Sequence, residues 1–432
     1  MLNPNYLKFK SLYELNDLAF KTKYEIINSQ SVQEILPPFQ SFLDKRNTHG
    51  KDNYYRYCLQ ANYISFPNLC LDAVLGIVNK EDATVKLPAN MENLIYYATD
   101  KGTPLVQIQN EIIEAIFKFG LAGIIVDIPE NVSVANSLPK LKVYGGNKIV
   151  DYQYFTDGFG MKKIKFITFD ESRYVYSENS KSYSFTKIYK VHSLTADERY
   201  CITEMLASNY STFDPMNPSI EDGILSITFP SWTSELNFIP FVAVSRFDLN
   251  LNYGPSFIQD LIDISLQNFR LNANLCWLEA NAASSHLVIK GQNLDNVSEY
   301  PVGAGAVHVL NDSNANEFYV TPSIQGIAEI KSHIAENTAL AQDLMYNLTN
   351  VAANSSGESL KIRISSKMQD LIGLLKNIGY GLTLALENID KIMNNGINRN
   401  SIEYLPYLGF ANISNYIGEE QKIEKIENGI TE

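Results

Sequence analysis

The sequence predicts an α+β protein, in which long helices and antiparallel strands occupy separate stretches of the chain. Residues 130–250 alternate Tyr and Phe with polar residues, and clusters of Gly, Asn, Asp and Ser separate the alternating segments. This is the pattern of short strands joined by turns. Long helical patterns instead dominate residues 254–284, 323–348 and 360–394. Segregation of strands from helices along a chain is typical of the α+β class.

Composition and charge restrict the classes of function. The chain has 432 residues, of which 45% are hydrophobic, so it is long enough for two or three domains with substantial cores. Its formal net charge of −13 argues against a protein that grips nucleic acid over its whole surface, because Lys and Arg would have to predominate there. An acidic surface still suits a protein past which DNA must slide, since repulsion keeps the polymer from adhering.

Cysteine usage and hydropathy indicate where the protein is made. The four cysteines, Cys58, Cys70, Cys201 and Cys276, lie far apart and form no CxxC, so we expect reduced core residues. Nowhere do about 18 apolar residues follow one another. We therefore expect neither a signal peptide nor a membrane span. We expect the protein to be made in a cytoplasm.

The first 130 residues are predicted to be mainly helical. In the run that follows Thr103, Leu105, Ile108 and Ile112 share one helix face and Gly120 supplies the stop. The predicted elements are an arm of short helical patches at 1–50, helices at 53–80 interrupted at Pro67, an extended piece at 84–88, a helix at 103–119 and a buried strand at 120–129.

The β region that follows is predicted to be antiparallel. Its strand-like segments are residues 163–169, 173–177, 183–191 and 224–229, and a last apolar run at 237–248 leads into the first long helix.

The helix predicted at 254–284 has two apolar faces. Pro255 is tolerated in a first helical turn, and no Pro or Gly follows for 29 residues. One stripe comprises Ile258, Ile262, Phe269, Ala273 and Cys276, the nearly opposite stripe comprises Phe257, Ile264, Leu271, Leu275 and Leu278, and the polar strip comprises Gln259, Asp263, Gln267, Arg270 and Asn274. Two apolar faces need two partners, so this helix is either buried in a large domain or wedged between subunits.

A small β-rich insert separates this helix from a second one. Strands are predicted at 286–291, 306–311 and 317–322. On the second helix, 323–348, apolar residues recur at a/d-like spacing at Ile327, Ile330, Ile334, Ala341, Leu344 and Leu348. A small polar loop at 349–359 precedes the third helical region, and residues 415–432 form a charged tail.

Catalytic and metal-binding motifs are absent. The sequence contains no GxxxxGK[ST], HExxH or GxSxG and no paired zinc-ligand spacing. Asp127 at the end of a predicted strand is more typical of a turn residue than of a catalytic carboxylate. His286 and His308 could meet on neighbouring strands, but structural histidines are far commoner than metal ligands. No cofactor and no catalytic activity are therefore expected.

The order of these elements resembles the portal proteins of tailed bacteriophages. A phage portal-like family carries GxxGxxVDxP and iPFv…PPLxDLAxLN segments. The matching residues here are Gly120, Gly123, Val126, Asp127 and Pro129 for the first segment, and Ile239, Pro240, Phe241, Asp260, Leu261 and Asp263 for the second. Gly254-Pro255 stands in place of the double proline. The likeness covers roughly residues 55–390.

The resemblance implies a portal fold, with an α/β wing, two long stem helices flanking a small β-rich clip, and a short helical crown. The parts would be the wing at 1–250, the first stem helix at 251–284, the clip at 285–320, the second stem helix at 321–348, the tunnel loop at 349–359, a wing and crown helix at 360–395, and the crown and tail at 396–432. In a ring, each stem helix packs against its own chain and the next one, which would explain two apolar faces.

The resemblance also implies contact residues. The DNA channel and tunnel loop would present Asn350, Asn354, Ser355, Ser356, Lys361, Arg363 and Lys367; the stem Asp263, Gln267 and Arg270; and the docking face of the clip His286, Lys290, Tyr300, His308 and Asp312. The three bases after the loop are equally compatible with a solvated helix end or with intersubunit ion pairs.

The partners and location follow from the same resemblance. A homo-oligomeric ring, usually a dodecamer, would sit at the capsid vertex of the virion after assembly in the host cytoplasm, without contact to a membrane. Double-stranded DNA would pass through it during packaging and ejection. The terminase large subunit, a head–tail adaptor and the major capsid protein would dock on it.

Two other functions are compatible with the sequence. Another ring-forming connector or adaptor would also assemble, but it should be smaller and lack a β insert between two long helices. An enzyme with an unusual site near Asp127 or His286 should be a monomer or small oligomer with a defined pocket.

Overall fold

The structure is a computed structural model that describes residues 2–43, 49–128, 138–156, 158, 160–177, 181–219, 223–230, 236–283, 286–290, 316–320, 325–349, 357–394, 397 and 400–408. The backbone alone is described for 177, 283, 286–290, 316–320, 325, 349 and 357–367. Every strand pairing within these residues is antiparallel. Together with the long helices, this pairing confirms the predicted α+β class.

The α-helices of the described residues are numbered in chain order. They are α1 (Pro4–Ala19), α2 (Lys23–Ile27), α3 (Val32–Ile35), α4 (Gln40–Leu43), α5 (Gly50–Gln60), α6 (Phe66–Val78), α7 (Leu105–Phe119), α8 (Gln259–Ala283), α9 (Gln325–Thr349) and α10 (Gly357–Met393).

The strands are numbered in the same way. They are β1 (Thr84–Lys86), β2 (Leu121–Asp127), β3 (Lys140–Gly145), β4 (Ile149–Thr156), β5 (Lys162–Asp170), β6 (Arg173–Ser177), β7 (Ser182–Thr186), β8 (Ile188–Leu194), β9 (Tyr200–Leu206), β10 (Ile224–Thr228), β11 (Phe241–Ser245), β12 (His286–Lys290), β13 (Asn316–Val320) and β14 (Glu403–Leu405).

The chain divides into two compact units. The first, which we call the sheet unit, comprises Met1–Phe20, Pro67–Asp260 and Leu344–Glu432; the second, the hairpin unit, comprises Lys21–Phe66 and Leu261–Asp343. Residues of the expected wing, 1–250, contribute to both units.

The core of the sheet unit lies between helices and a three-stranded sheet of order β11-β2-β3. Helix α7 buries Ile108, Ile112 and Ile116 completely, as its predicted apolar face requires. It packs against β2 and β3, while α10 packs against β11 and β2. The unit also contains a five-stranded sheet of order β10-β9-β8-β5-β4 and the two-stranded pairs β1-β14 and β6-β7.

Gly120 joins α7 to β2 in the way that the sequence predicts. Its φ is +69°, in the left-handed region that favours glycine. The N–H of Gly120 donates to the Ile116 carbonyl at 2.8 Å and ends the helix. A Cβ atom at this position would overlap the carbonyl group of Pro255, so the close approach also requires glycine.

The first long helix begins later than predicted, at Gln259 instead of Pro255. The preceding residues are held by the rest of the sheet unit: Tyr13 donates its hydroxyl to the Gly254 carbonyl at 3.1 Å, and the Ser256 hydroxyl donates to the Phe117 carbonyl. The same hydroxyl accepts from the Ile258 N–H at 3.0 Å, in the turn just before the helix. These tertiary contacts fix where the helix starts.

Four other boundaries differ from the predictions. The single strand predicted at 183–191 is two strands, β7 and β8, because the Ile188 N–H turns to the Ser172 hydroxyl at the junction. Pro67 lies in the first turn of α6, where proline is tolerated, and does not interrupt a helix. Residues 357–359 of the predicted loop are helical. Residues 403–405, expected in a helical crown, form β14 because they pair with β1.

Candidate functional site

Helices α8 and α9 form an antiparallel pair within the hairpin unit. Each has 25 residues, a length of about 37 Å. Asn268 on α8 donates its amide to the Thr338 hydroxyl at 3.3 Å and accepts from the Asn337 amide at 3.0 Å. Eleven residues further along α8, Glu279 lies 2.8 Å from the ammonium group of Lys331. The contacts therefore advance along α8 while they retreat along α9, as two antiparallel helices require.

The helical pair leads directly into a β-hairpin. Strands β12 and β13 pair from His286 opposite Val320 to Lys290 opposite Asn316. This confirms two of the three strands predicted between the helices; the third, at 306–311, lies outside the described residues. We call the α8-β12-β13-α9 segment the helical hairpin.

The two apolar stripes of α8 differ in burial. On the first stripe, Ile262, Phe269 and Ala273 are almost completely buried. On the second, Leu271 and Leu275 are only half-buried. Ile264 on the second stripe is buried as well, so the single chain covers the first stripe more fully and the second only in part.

The apolar row of α9 is only partly covered along most of the helix. Of the described side chains on this helix, from 326 to 348, Ala341 alone is buried. Half-buried positions of the predicted row are Ile327, Ile330, Ile334, Leu344 and Leu348. Leu340 and Tyr346 expose 50% and 43% of their surface. A surface helix normally turns its apolar row toward a core, so α9 carries an apolar face that its own chain covers only in part.

The polar strip of α8 is exposed at three of its five positions, and one of the exposed residues binds another part of the chain. Asp263, Gln267 and Arg270 are exposed, as predicted. The guanidinium group of Arg270 donates to the carbonyl of Ile35 at 2.9 Å and to that of Glu34 at 3.2 Å. Arg270 therefore caps the C-terminal end of α3, where carbonyl groups have no helical partner.

Aromatic side chains pack against α8 inside the hairpin unit. The Trp277 ring lies 5.0 Å from Phe42 and 6.4 Å from Tyr57, both edge to face. The Tyr57 hydroxyl donates to the Asn274 side chain at 2.8 Å. Burial raises the pKa of Tyr57 to about 12, so this hydroxyl remains a neutral donor. This cluster was not predicted from the sequence, although Trp277 on a helix with two apolar stripes was a signal for it.

The other predicted contact residues are only partly placed. Lys361, Arg363 and Lys367 fall on the backbone of α10, and His286 and Lys290 are the first and last residues of β12. The tunnel-loop residues Asn350, Asn354, Ser355 and Ser356 and the clip residues Tyr300, His308 and Asp312 lie outside the described residues.

Residues considered for chemistry are dispersed. Asp127 ends β2 and is half-buried, opposite Lys140 in the strand register. His192 is buried in β8, where its Nδ1 lies 2.6 Å from the Tyr200 hydroxyl. Burial, and secondarily the charges of Lys190 and Lys142, hold the pKa of His192 well below its usual range. Cys58, Cys70, Cys201 and Cys276 are free thiols, and the first three are buried.

The described residues contain neither a metal-ion cluster nor a helix that could cross a membrane. No group of three or more His, Cys, Asp or Glu side chains in the described ranges is placed to hold a metal ion. Among the helices described, none combines the length and the apolar character needed to span a bilayer.

Comparisons with known proteins give only distant likenesses. No protein-family model matches the chain, and no curated protein does. Among solved structures, the chain is similar to one from the neck of an empty GTA particle computed with C6 symmetry, with 12% identity and a TM-score of 0.38 over 82% of this chain and 83% of that one.

Two further structures are similar in the same degree. One is a chain of the virion of a native gene transfer agent (GTA) particle, with 12% identity and a TM-score of 0.37 over 87% of each chain. The other comes from the neck of a native GTA particle computed with C12 symmetry, with 12% identity and a TM-score of 0.34 over 91% of this chain and 90% of that one. At TM-scores this low, none of the three likenesses defines a shared fold or a function.

Sequence reasoning also missed the polar contact at the centre of the helical pair. Asn268 is 94% buried, which is unusual for an amide side chain unless it is hydrogen-bonded. Its position between the apolar stripes of α8, and that of Asn337 and Thr338 within the apolar row of α9, were the available signals.

Proposed function

We propose that the chain is the portal protein of a tailed phage, a subunit of a ring at the capsid vertex through which double-stranded DNA is packaged and ejected. The observation that carries the proposal is the helical hairpin, in which α9 presents an apolar row that its own chain covers only in part. A row of this kind on a soluble protein needs a partner. In a ring, the partner is the next copy of the same chain.

The partly covered apolar surfaces of α8 and α9 are compatible with a head-to-tail contact between subunits of a ring. Such a contact joins two different surfaces of identical subunits and closes when the rotation between them divides a full turn. The half-buried stripe of α8, with Leu271 and Leu275, offers one surface, and the row of α9 offers the other. The ring is usually dodecameric in portals, and we propose this stoichiometry here.

The proposal gives each part of the hairpin a role. Helices α8 and α9 form the stem, residues 285–320 the clip, and residues 350–356, between α9 and α10, the tunnel loop. Asp263 and Gln267, exposed on α8, face solvent or the channel. The clip residues His286, Lys290, Tyr300, His308 and Asp312 dock the head–tail adaptor and the terminase large subunit, and the wing contacts the major capsid protein.

In this proposal the contacts to DNA are weak, because the residues of the tunnel loop that would make them are mostly uncharged. Asn350, Asn354, Ser355 and Ser356 offer hydrogen bonds without charge, and Lys361, Arg363 and Lys367 offer the only bases near the loop in sequence. Contacts to phosphates carry no sequence information and are readily exchanged along the duplex. The chain itself catalyses no step, and a separate packaging ATPase supplies the work.

The mass and symmetry of the purified chain test the proposal. Ile334→Asp places a charge in the half-buried row of α9, whereas Ala335→Asp places the same charge at the next, exposed position. We expect the native chain and Ala335→Asp to form rings of about a dozen copies with a central hole in mass photometry and negative-stain images. Ile334→Asp should give much smaller species. A native chain that stays monomeric or dimeric at all concentrations would contradict the proposal.

A further inference from the structure

Strands β5 to β8 form one continuous antiparallel ribbon that extends beyond its sheet. β5 pairs with β8 up to Asp170 opposite Tyr189, and β6 pairs with β7 from Arg173 opposite Thr186 onward, in the same register. The inner half of this ribbon lies in the middle of the five-stranded sheet, between β9 and β4. In the outer half, β6 and β7 pair with no further strand among the described residues.

One face of this outer ribbon is aromatic and exposed. Tyr174 stands opposite Phe185, and Tyr176 opposite Tyr183, with ring centroids 5.4 and 5.1 Å apart. Their exposed fractions are 70%, 55%, 49% and 70% in that order. Aromatic pairs across strands stabilise a ribbon, but here the rings keep most of their surface in water. We call these four side chains the aromatic face.

The base of the outer ribbon is fixed to the sheet by charged groups. Arg173 lies 3.1 Å from one carboxylate oxygen of Glu204 and 3.8 Å from Glu171. Glu171 also accepts from the Lys142 ammonium group and the Tyr144 hydroxyl. Burial opposes ionisation of Glu171, but these hydrogen bonds outweigh it and hold the pKa of Glu171 below its usual value. These ion pairs and hydrogen bonds therefore fix the position of the strand residues from which the aromatic face extends.

We infer that the aromatic face is a contact surface for a neighbouring copy of this chain. The inference rests on the proposed ring. Copies of a chain with net charge −13 repel one another, so they approach best through uncharged surfaces. Between Tyr174 and Phe185 the charged residues are Glu178 and Lys181, which cancel.

The exposed area of the aromatic face also fits a secondary contact within a larger assembly. The four rings leave roughly 400–500 Å² exposed, which equals the largest apolar patch of a typical monomer and often marks function. A standard interface needs about 800 Å² from each partner. The aromatic face is therefore too small to hold a separate complex, but it can reinforce an assembly in which other surfaces already fix the neighbour.

The outer edges of β6 and β7 pair with no further strand among the described residues. Unpaired strand edges next to exposed aromatic residues promote aggregation, and proteins normally cover them. Tyr and Phe are also enriched where subunits meet, because they bury large areas with few rotatable bonds. A neighbouring copy would cover both features in every subunit of a closed ring.

The variant Tyr174→Ser/Tyr183→Ser tests the inference in the full chain. Both side chains are exposed, so we expect the fold to survive. The matched control is Tyr96→Ser/Tyr97→Ser, which removes two tyrosines that are 66% and 59% exposed but do not belong to the ribbon. We expect the ribbon variant to need a roughly tenfold higher concentration for half-assembly in mass photometry, and the control to match the native chain.

Hydrogen exchange supplies the second readout. Amides 173–186 should exchange more slowly in the native ring than in the dissociated Ile334→Asp chain. A ring of native stability in the ribbon variant, with equal exchange of these amides in both states, would overturn the inference and leave the ring intact. A native chain that forms no ring would overturn the proposed function and the inference together.

Discussion

The hydroxyl group of Tyr404 donates a hydrogen bond to the side-chain oxygen of Gln109, 2.9 Å away, across 295 positions of the chain. Tyr404 lies in β14 and Gln109 in α7, and each side chain is 1% exposed. Burial raises the pKa of Tyr404, so the hydroxyl remains a neutral donor. The backbone N–H of Tyr404 also donates to the Thr383 hydroxyl on α10. One tyrosine therefore ties the end of the described chain to two core helices.

Removal of this hydroxyl should destabilise the sheet unit. Tyr404→Phe keeps the ring but leaves the buried Gln109 oxygen without its partner, which costs about 1–3 kcal/mol. We expect a lower midpoint of thermal unfolding, followed by circular dichroism. Tyr380→Phe removes a hydroxyl from a side chain that is 63% exposed and should leave the midpoint unchanged. Equal midpoints for the two variants would contradict the role of the bond.

The junction at Gly120 should not tolerate a side chain. Gly120→Ala must hold a φ of +69°, which costs about 1–2 kcal/mol, and its Cβ must also displace the Pro255 carbonyl. Gly76→Ala is the matched control, because Gly76 is exposed in α6 and a Cβ there meets nothing within 4 Å. In chemical denaturation, Gly120→Ala should lose several kcal/mol, while Gly76→Ala should gain about 0.5–1 kcal/mol.

Buried His192 should make the protein less stable toward acid. The pKa of His192 in the folded chain lies well below 6.5. As the pH falls through 6.5, His192 therefore becomes protonated in the unfolded chain but stays neutral in the folded chain. Stability is therefore present above this pH and is lost below it, by at most about 1.4 kcal/mol per pH unit.

Substitution of His192 should remove that part of the pH dependence. His192→Asn keeps a polar atom near the Tyr200 hydroxyl but cannot titrate. We expect the difference between unfolding midpoints at pH 7.5 and pH 5.5 to shrink relative to the native chain. His49→Gln, at an exposed position, should retain the native difference. An unchanged difference in His192→Asn would show that other groups cause the acid sensitivity.

Local signals predicted the elements, and tertiary contacts decided what local signals could not. The end of α7 at Gly120 was predictable because a helix stop depends on one residue and its own backbone. The start of α8 was not, because it depends on hydrogen bonds from Tyr13 and to Phe117, far away in sequence. The same limit applies to β14, whose three residues form a strand only because β1 is beside them.

The candidate site shows the same division. The apolar rows of α8 and α9 were predictable from periodicity, but their unequal burial was not, since burial depends on which surfaces the chain itself supplies. The sequence placed Arg270 on an exposed strip and could not indicate that α3 ends against it. Pairing partners more than 200 positions apart leave no periodic trace.

The contact of Asn268 with α9 should control how often that helix separates from α8. Asn268→Ala removes two hydrogen bonds and leaves Asn337 without one of its partners, at a cost of about 1–2 kcal/mol. Opening of α9 should then be roughly 5–30 times more frequent. Hydrogen exchange of amides 334–345 in the dilute chain measures this directly. The neighbouring variant Gln267→Ala changes an exposed side chain on the same helix and should leave these amides as they are. Because both variants remove an amide from adjacent positions, equal exchange would mean that helix propensity, and not the bond to α9, governs the opening.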